Sequence, residues 1–186
     1  MRFGAKVGTT SFGAKVGPKI GSGNKGLIYV LEGLSHKYKN YVIKKFKYVN
    51  PNGPEIKVLP KYMHAKFSYK RQLESFMNEV HVQQLASVLG IAPKVLTFTE
   101  DYMVMERIRG TTLHNYLKHH RWDTIRSKVS RAIKKMHDAK IQHNDLTDHN
   151  IMIGHDNKVY IIDFGSAVFD PDFTDEDFEY DTVLFA

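Results

Sequence analysis

The stretch QHNDLTDHN, Gln142 to Asn150, sets two histidines, two aspartates and two asparagines within nine residues. Read alone it fits a metal site, a polar turn, or the centre of an enzyme whose other parts lie elsewhere in the chain. A zinc site would rest on His143 and His149, but these are six residues apart in a loop rather than the four that align side chains on a helix. No third soft ligand is evident beside them. Asp145 and Asn150, with Asp163 further on, offer hard oxygen ligands and a proton acceptor, a set better suited to magnesium.

The flanks make this stretch a loop between a helix and a strand. Trp122 to Ala139 carries Ile125, Val129, Ala132, Ile133 and Met136 on one helical face. IMIG, from Ile151, and KVYIID, from Lys158, then read as two short strands around a turn at His155 to Asn157. Loops so placed carry chemistry more often than packing.

Working outward, Thr112 to Lys118 suggests a short helix, and KVLTFTEDYMVMERI, Lys94 to Ile108, two strands around a turn at Glu100 and Asp101. The chain can change direction at Arg109-Gly110, where the boundary between two lobes is expected. Tyr69 to Leu89 has Leu73, Phe76, Met77 and Val80 at helical spacing, and Gly90 and Pro93 close the pattern. Asn50 to Lys61, with three prolines and a glycine, is loop chemistry. NYVIKKFKYV, Asn40 to Val49, favours a strand. The repeat FGAKVG occurs at Phe3 to Gly8 and Phe12 to Gly17; the second copy leads into a hairpin strand, while the first is expected to fray.

Composition sets outer bounds. With 186 residues, 42% of them hydrophobic, the chain can fill one generous domain or two small lobes. The absence of cysteine excludes disulfides, thiolate metal sites and cysteine nucleophiles, and fits a reducing compartment. The start, Met1 to Gly17, lacks the apolar core of a signal peptide, and no apolar run is long enough to cross a bilayer, so a cytoplasmic protein without a membrane partner is expected. The net charge is +7, yet Phe169 to Ala186 holds seven acids and no Lys or Arg, which leaves +14 on the rest. Such a body attracts anions: phosphates, nucleic acid or this same acidic tail.

Four further features accompany the opening stretch. Gly21-Ser22-Gly23-Asn24-Lys25-Gly26 is a GxGxxG with Ile28 just beyond, either a phosphate-approaching loop or a plain glycine hairpin. In Tyr41-Val42-Ile43-Lys44, alternation turns Val42 and Lys44 to one face and Lys45 to the other. Lys44 would then either neutralise phosphate in a cleft or sit on the surface. Glu79, with Glu74 as its competitor, is a carboxylate that could hold Lys44, or a solvated helix residue. Ile161-Ile162-Asp163-Phe164-Gly165 ends a strand, and Asp163 is either a ligand or a turn residue.

The order GSGNKG, YVIK, Glu79, HNDLTDHN, DFG resembles the protein-kinase superfamily over about Lys19 to Ala167. His143-Asn144-Asp145 and Asn150 keep the spacing of that family's catalytic loop, and Asp145-Leu146-Thr147 with MERIRG is most similar to the compact atypical kinases of the RIO type and the kinase subunit of the KEOPS complex. The glycine-rich stretch is more conventional than the KEOPS type, and the tail lacks that subunit's basic ending, so the resemblance is drawn at the superfamily.

The resemblance implies an α+β, two-lobed protein-kinase-like fold with a truncated C-terminal lobe. Its divisions would be residues 1–18 as a basic glycine-rich segment, 19–109 as the N-lobe, 110–168 as a minimal C-lobe and 169–186 as an acidic aromatic tail. By the same resemblance Gly21, Ser22, Gly23, Gly26 and Ile28 would cover the phosphates of ATP, Lys44 would bind them and Glu79 would hold Lys44. Met105, Glu106 and Ile108 would lie in the hinge at adenine, Asn150 and Asp163 would hold Mg2+, and Asp145 would take or orient the proton of the attacking hydroxyl. His143 becomes a support of the loop and His149 a polar loop residue.

Asn144 stands where the family usually has arginine, and Thr147 where it usually has lysine. Only twenty-one residues follow Gly165, without an Ala-Pro-Glu motif, so a partner protein completing the C-lobe is one expectation and a minimal kinase another. The tail aromatics Phe169, Phe173, Phe178, Tyr180, Leu184 and Phe185 would pack on the lobe, dock on such a partner, or fray. The functional expectation is ATP- and Mg2+-dependent phosphoryl transfer to Ser/Thr of a protein substrate or of the chain itself. The alternatives are a nucleotide-binding pseudokinase that docks a partner, a small-molecule kinase, and a nucleic-acid module using Lys118-His119-His120-Arg121.

Overall fold

The computed structural model describes residues 14–22, 26–32, 39–47, 69–178 and Asp181. Gly23, the first FGAKVG copy, the proline-rich loop and the tail residues Tyr180, Leu184 and Phe185 lie outside the described residues. The fold is α+β, and the chain divides into two compact units with boundaries at Phe76/Met77, Val95/Leu96 and Arg107/Ile108.

The first unit is built on a five-stranded sheet. Its strands are β1 (Lys15–Ser22), β2 (Gly26–Glu32), β3 (Tyr41–Phe46), β4 (Val95–Phe98) and β5 (Tyr102–Glu106), in the spatial order β1-β2-β3-β5-β4. Antiparallel pairing of β1 with β2, β2 with β3 and β3 with β5 puts alternate residues on one face. Ala14, Leu31, Ile43 and Val104 form a buried cluster there, flanked by Val16, Tyr29, Tyr41 and Tyr102. Pro18, which has no N–H to give a ladder, sits in the edge strand β1 where the register shifts between Val16 and Lys19.

Helix α1 (Tyr69–Val88) is one turn-for-turn match to the expected helix, but its buried face differs from the apolar stripe. Phe76, Glu79, Val80, Val82, Gln83 and Ala86 are buried, whereas Met77 is 38% exposed. Two polar residues thus lie on the inner face, and Gln83 Nε2 donates to the Pro93 carbonyl at 3.1 Å. A hydrophobicity pattern cannot register such positions, because their burial depends on distant partners. The helix ends as its sequence dictates: Gly90 takes φ +72°, Ile91 N–H reaches Ala86 O and Gly90 N–H reaches Ser87 O. This pair of bonds is the Schellman arrangement, which needs a left-handed residue at Gly90.

The second unit gathers around α2 (Leu113–Tyr116), α3 (Arg126–Asp138) and two small sheets. Thr112 caps α2, its Oγ1 accepting from Asn115 N–H at 3.3 Å. Val129, Ala132, Ile133 and Met136 of α3 are buried as the periodicity predicts. A three-stranded antiparallel sheet, β6-β8-β9, comprises β6 (Gly110–Thr112), β8 (Ile151–Gly154) and β9 (Val159–Ile161). The Gly110 stretch, read from sequence only as a change of direction, is therefore a strand. Its ladder partners lie 40 to 44 residues further along the chain, a distance at which local pattern carries no pairing information. A two-stranded ribbon pairs β7 (Ile141–Gln142) with β10 (Val168–Phe169).

That ribbon begins the docking of the acidic tail. Lys140 Nζ donates to the Phe173 carbonyl at 2.6 Å, and Gln142 Nε2 donates to the Asp177 carbonyl at 2.5 Å. Phe178, 4% exposed, stacks on His137 with ring centroids 4.3 Å apart and meets Phe173 edge-on at 5.7 Å. Over its described residues the tail packs on its own unit. Of its acids, Asp181 is buried.

Candidate active site

In the first unit, β3 places Lys44 opposite Ile28 of β2 and Met103 of β5. Val42 and Lys44 share one face of β3 and are buried at 5% and 4% exposure; Ile43, on the other face, is also buried at 0%, while Lys45 on that face is half-buried with Nζ 5.9 Å from the Tyr29 ring. Lys44 Nζ itself lies 5.9 Å from the Phe46 ring, and Phe46 packs on Phe76 at 3.5 Å between centroids. A lysine is rarely buried to this degree unless its charge is used.

Of the glycine-rich segment, Gly21, Ser22 and Gly26 are among the described residues. Gly21 is opposite Ile28, Ser22 ends β1 with Oγ 3.5 Å from Lys47 Nζ, and Gly26 opens β2 opposite Phe46. A Cβ on Gly26 would stand 3.0 Å from Lys44 Cε and 3.1 Å from the Lys45 carbonyl oxygen. A side chain at Gly26 would therefore make the Lys44 chain or the Lys45 carbonyl give way by a few tenths of an ångström. Met105 and Glu106 end β5, paired with Val42 and Tyr41, and Arg107 N–H closes onto the Asn40 carbonyl at 2.8 Å.

In the second unit, Glu79 is 1% exposed, whereas Glu74, which belongs to the first unit, has a side chain 62% exposed, 3.9 Å from Lys70. Asn78, next to Glu79, donates through Nδ2 to the Ala167 carbonyl at 2.9 Å, tying α1 to the segment after Asp163-Phe164-Gly165. Ile108 begins this unit's second stretch of chain, and is half-buried.

Asp145 and Asn150 come together. Asn150 Nδ2 donates to the Asp145 carbonyl at 2.7 Å and to Asp145 Oδ2 at 3.1 Å. This use of the amide nitrogen leaves Asn150 Oδ1 without a hydrogen-bond partner among the described residues. Ile162 N–H bonds to the Asn150 carbonyl at 2.9 Å, which holds Asp163 one residue beyond that contact. Asp163 adopts φ 63° and ψ 62°, a left-handed conformation that aspartate tolerates better than bulkier residues, and Phe164 behind it is fully buried. An unengaged amide oxygen and a carboxylate are hard donors, and they fit a magnesium ion.

His143 is the loop's internal support. It is 0% exposed, packs on Phe164 at 5.1 Å, and its Nε2 meets the Ile162 carbonyl at 3.1 Å. Because a carbonyl only accepts, Nε2 carries the hydrogen, and Nδ1 is buried with no hydrogen-bond partner. Burial pushes the His143 imidazole below its ordinary value, although the Ile162 carbonyl and nearby carboxylates oppose this, so it is neutral at neutral pH. The zinc reading that joined His143 to His149 is therefore overturned: His149 has a side chain 65% exposed and stacks on His114 at 4.2 Å instead. Among the described residues the one cluster with metal-type donors is His114, Asp148 and His149, without His143.

Asp181 is the residue whose part here the linear sequence did not reveal. Its Oδ2 accepts from the His143 amide at 2.7 Å and lies 3.3 Å from His137 Nε2, while Oδ1 accepts from the Asn144 amide at 3.2 Å. Burial raises its pKa, but the hydrogen bonds from His137 and the His143 amide and the nearby imidazoles prevail, and the net shift is downward. Asn144 adopts φ 61° and donates from Nδ2 to the Ser166 carbonyl at 3.2 Å. One carboxylate and one amide side chain thus fix the backbone immediately before Asp145. In the sequence Asp181 is one of seven acids in the tail, and no local feature sets it apart.

The protein kinase domain profile matches residues 14–172. The chain is 33% identical over 158 residues to the KEOPS complex subunit Bud32 of Pyrococcus abyssi, covering 81% of this chain and 67% of that one. It is 31% identical over 114 residues to a "Probable serine/threonine-protein kinase BUD32 homolog" of Archaeoglobus fulgidus, covering 60% of this chain and 56% of the relative. A shorter match, 52% over 42 residues, links it to the 3-deoxy-D-manno-octulosonic acid kinase of Vibrio cholerae, covering 23% of this chain and 18% of that enzyme. The chain thus spans 56% and 18% of the length of the last two of these relatives. No helix among the described residues is long and apolar enough to cross a membrane. With its matched profile and its relatives of the Bud32 type, the chain belongs to the protein kinase family, among the atypical kinases.

Proposed function

We propose that this chain is an ATP- and Mg2+-dependent kinase that transfers a phosphoryl group to Ser/Thr of a protein, or to itself, in the cytoplasm. The observation that carries the reading is the contact between Asp145 and Asn150, which leaves the Asn150 amide oxygen available. Phosphoryl transfer asks for positioning and charge neutralisation rather than covalent chemistry.

In this reading Gly21, Ser22, Gly23, Gly26 and Ile28 cover the phosphates, and Met105, Glu106 and Ile108 line the adenine end. Lys44 neutralises phosphate charge, a use its burial supports, and Glu79 is the carboxylate that would hold it. Asn150 and Asp163 would hold Mg2+, which supplies charge stabilisation of the phosphoryl oxygens. Asp145, exposed and anchored through its own carbonyl by Asn150, accepts or orients the proton of the attacking hydroxyl. His143 is neutral and turned away onto Ile162, and so acts as a prop of the loop rather than a base.

Two relatives named for Bud32, one of them a subunit of the KEOPS complex, favour a partner protein that works with this chain. A small-molecule substrate is the second reading, favoured by the match to a sugar-acid kinase. Incubation with labelled ATP and Mg2+ should label the protein or an added protein substrate, and Asp145→Ala should reduce that labelling by about 10²- to 10⁴-fold. Equal labelling by the variant would refute the assignment. Nucleotide binding without transfer to any substrate would favour the pseudokinase, and transfer to a sugar acid alone the small-molecule kinase.

A further inference from the structure

Asp148 and His149 occupy the middle of a turn in the catalytic loop, closed by the Asn150 N–H to Thr147 carbonyl bond at 3.0 Å. The turn is tied to the start of α2 in two ways: His114 N–H donates to the Asp148 carbonyl at 3.0 Å, and His114 Nδ1 lies 2.9 Å from Asp148 Oδ2. His149 Nε2 is 3.9 Å from Asp148 Oδ1, and the two imidazoles stack at 4.2 Å with 23° between their planes. One donor atom from each of the three residues can be chosen so that all lie within 4.8 Å of one another.

We propose that His114, Asp148 and His149 form a zinc-type metal site that clamps the turn between Asp145 and Asn150 onto α2. Two imidazoles and one carboxylate form a borderline donor set, which suits Zn2+ and leaves a fourth position for water. The same set disfavours Mg2+, which prefers oxygen throughout. The backbone bond from His114 to Asp148 holds the ligand-bearing segments together before any ion arrives, so binding needs side-chain adjustment rather than a new loop. Without a metal the same groups make a histidine–aspartate hydrogen bond and a ring stack. The site uses neither Asp163 nor the Asn150 side chain, so it stands apart from the phosphoryl-transfer reading.

Calorimetric titration of the untagged full chain with ZnCl2 tests this, with Co2+ absorption as a geometric readout. Wild type should bind one equivalent of zinc. His149→Ala and His114→Ala should each weaken binding by more than about tenfold, whereas His155→Ala and Asp163→Asn should bind as wild type does. The His149 side chain is 65% exposed, so its loss should not unfold the protein, and it decides the matter if His114→Ala melts early without metal. Failure of wild type to bind zinc, wild-type affinity in His149→Ala, or loss of the zinc in Asp163→Asn would each overturn the proposal.

Discussion

Replacing Asp181 should disturb the catalytic loop more than any other change in the tail. The side chain is 1% exposed and takes hydrogen bonds from the His143 and Asn144 amides, with His137 Nε2 also within 3.3 Å. Asp181→Ala removes the acceptor for all three donors, and hydrogen bonds to a charged group are worth about 1.5–3 kcal/mol each. Asn144 is exposed, so water can reach its amide and reduces the sum. A loss of about 3–5 kcal/mol remains, the range seen when one member of a buried charged pair is removed. For a chain of this length that lowers the thermal midpoint by roughly 10 °C.

Asp181→Asn keeps one acceptor oxygen but turns an NH2 toward a donor, and should cost about 2 kcal/mol. Urea unfolding gives the stability, and amide hydrogen exchange gives the location. The His143 and Asn144 amides should lose protection beyond the global change, because the local anchor is gone. If Asp181→Ala stays within about 0.5 kcal/mol of wild type and both amides keep their protection, the anchoring role is wrong.

The two shifted groups in this network also set a pH dependence. Both Asp181 and His143 have folded pKa values lowered from 3.8 and 6.5, so the unfolded chain binds more protons in each window. Stability therefore falls as pH drops from 6.5 toward the folded value of His143, and falls again below 3.8; melts across this range should show a smaller decline in His143→Gln. Phe178→Ala empties a buried aromatic site against His137 and Phe173 and should cost about 3 kcal/mol, measured by urea unfolding; no change would mean that the tail is not part of the folded unit. Gly90→Ala, at φ +72°, should cost about 1–2 kcal/mol by the same measurement. Gly26→Val should weaken stabilisation by ATP in a thermal shift assay, because the new side chain meets Lys44 Cε and the Lys45 carbonyl.

Where a signal is local, the amino-acid order alone was sufficient. Period-two alternation put Val42 and Lys44 on one face of β3 and Lys45 on the other, the 3.6-residue period marked Val129 to Met136, and Gly90 marked the end of α1. The spacing of Asp145, Asn150 and Asp163 likewise pointed to one loop and one strand end, and the structure joins the first two directly. Three features escaped it for a common reason. β6 depends on a partner strand at Ile153, Gln83 on the carbonyl of Pro93, and Asp181 on amides 37 and 38 residues earlier. A buried polar group is defined by what satisfies it, and the satisfying atom is chosen by the tertiary fold. The residues proposed to carry the chemistry were therefore nominated by local sequence, whereas a group that holds the loop in place, Asp181 above all, became visible only when folding supplied its partners.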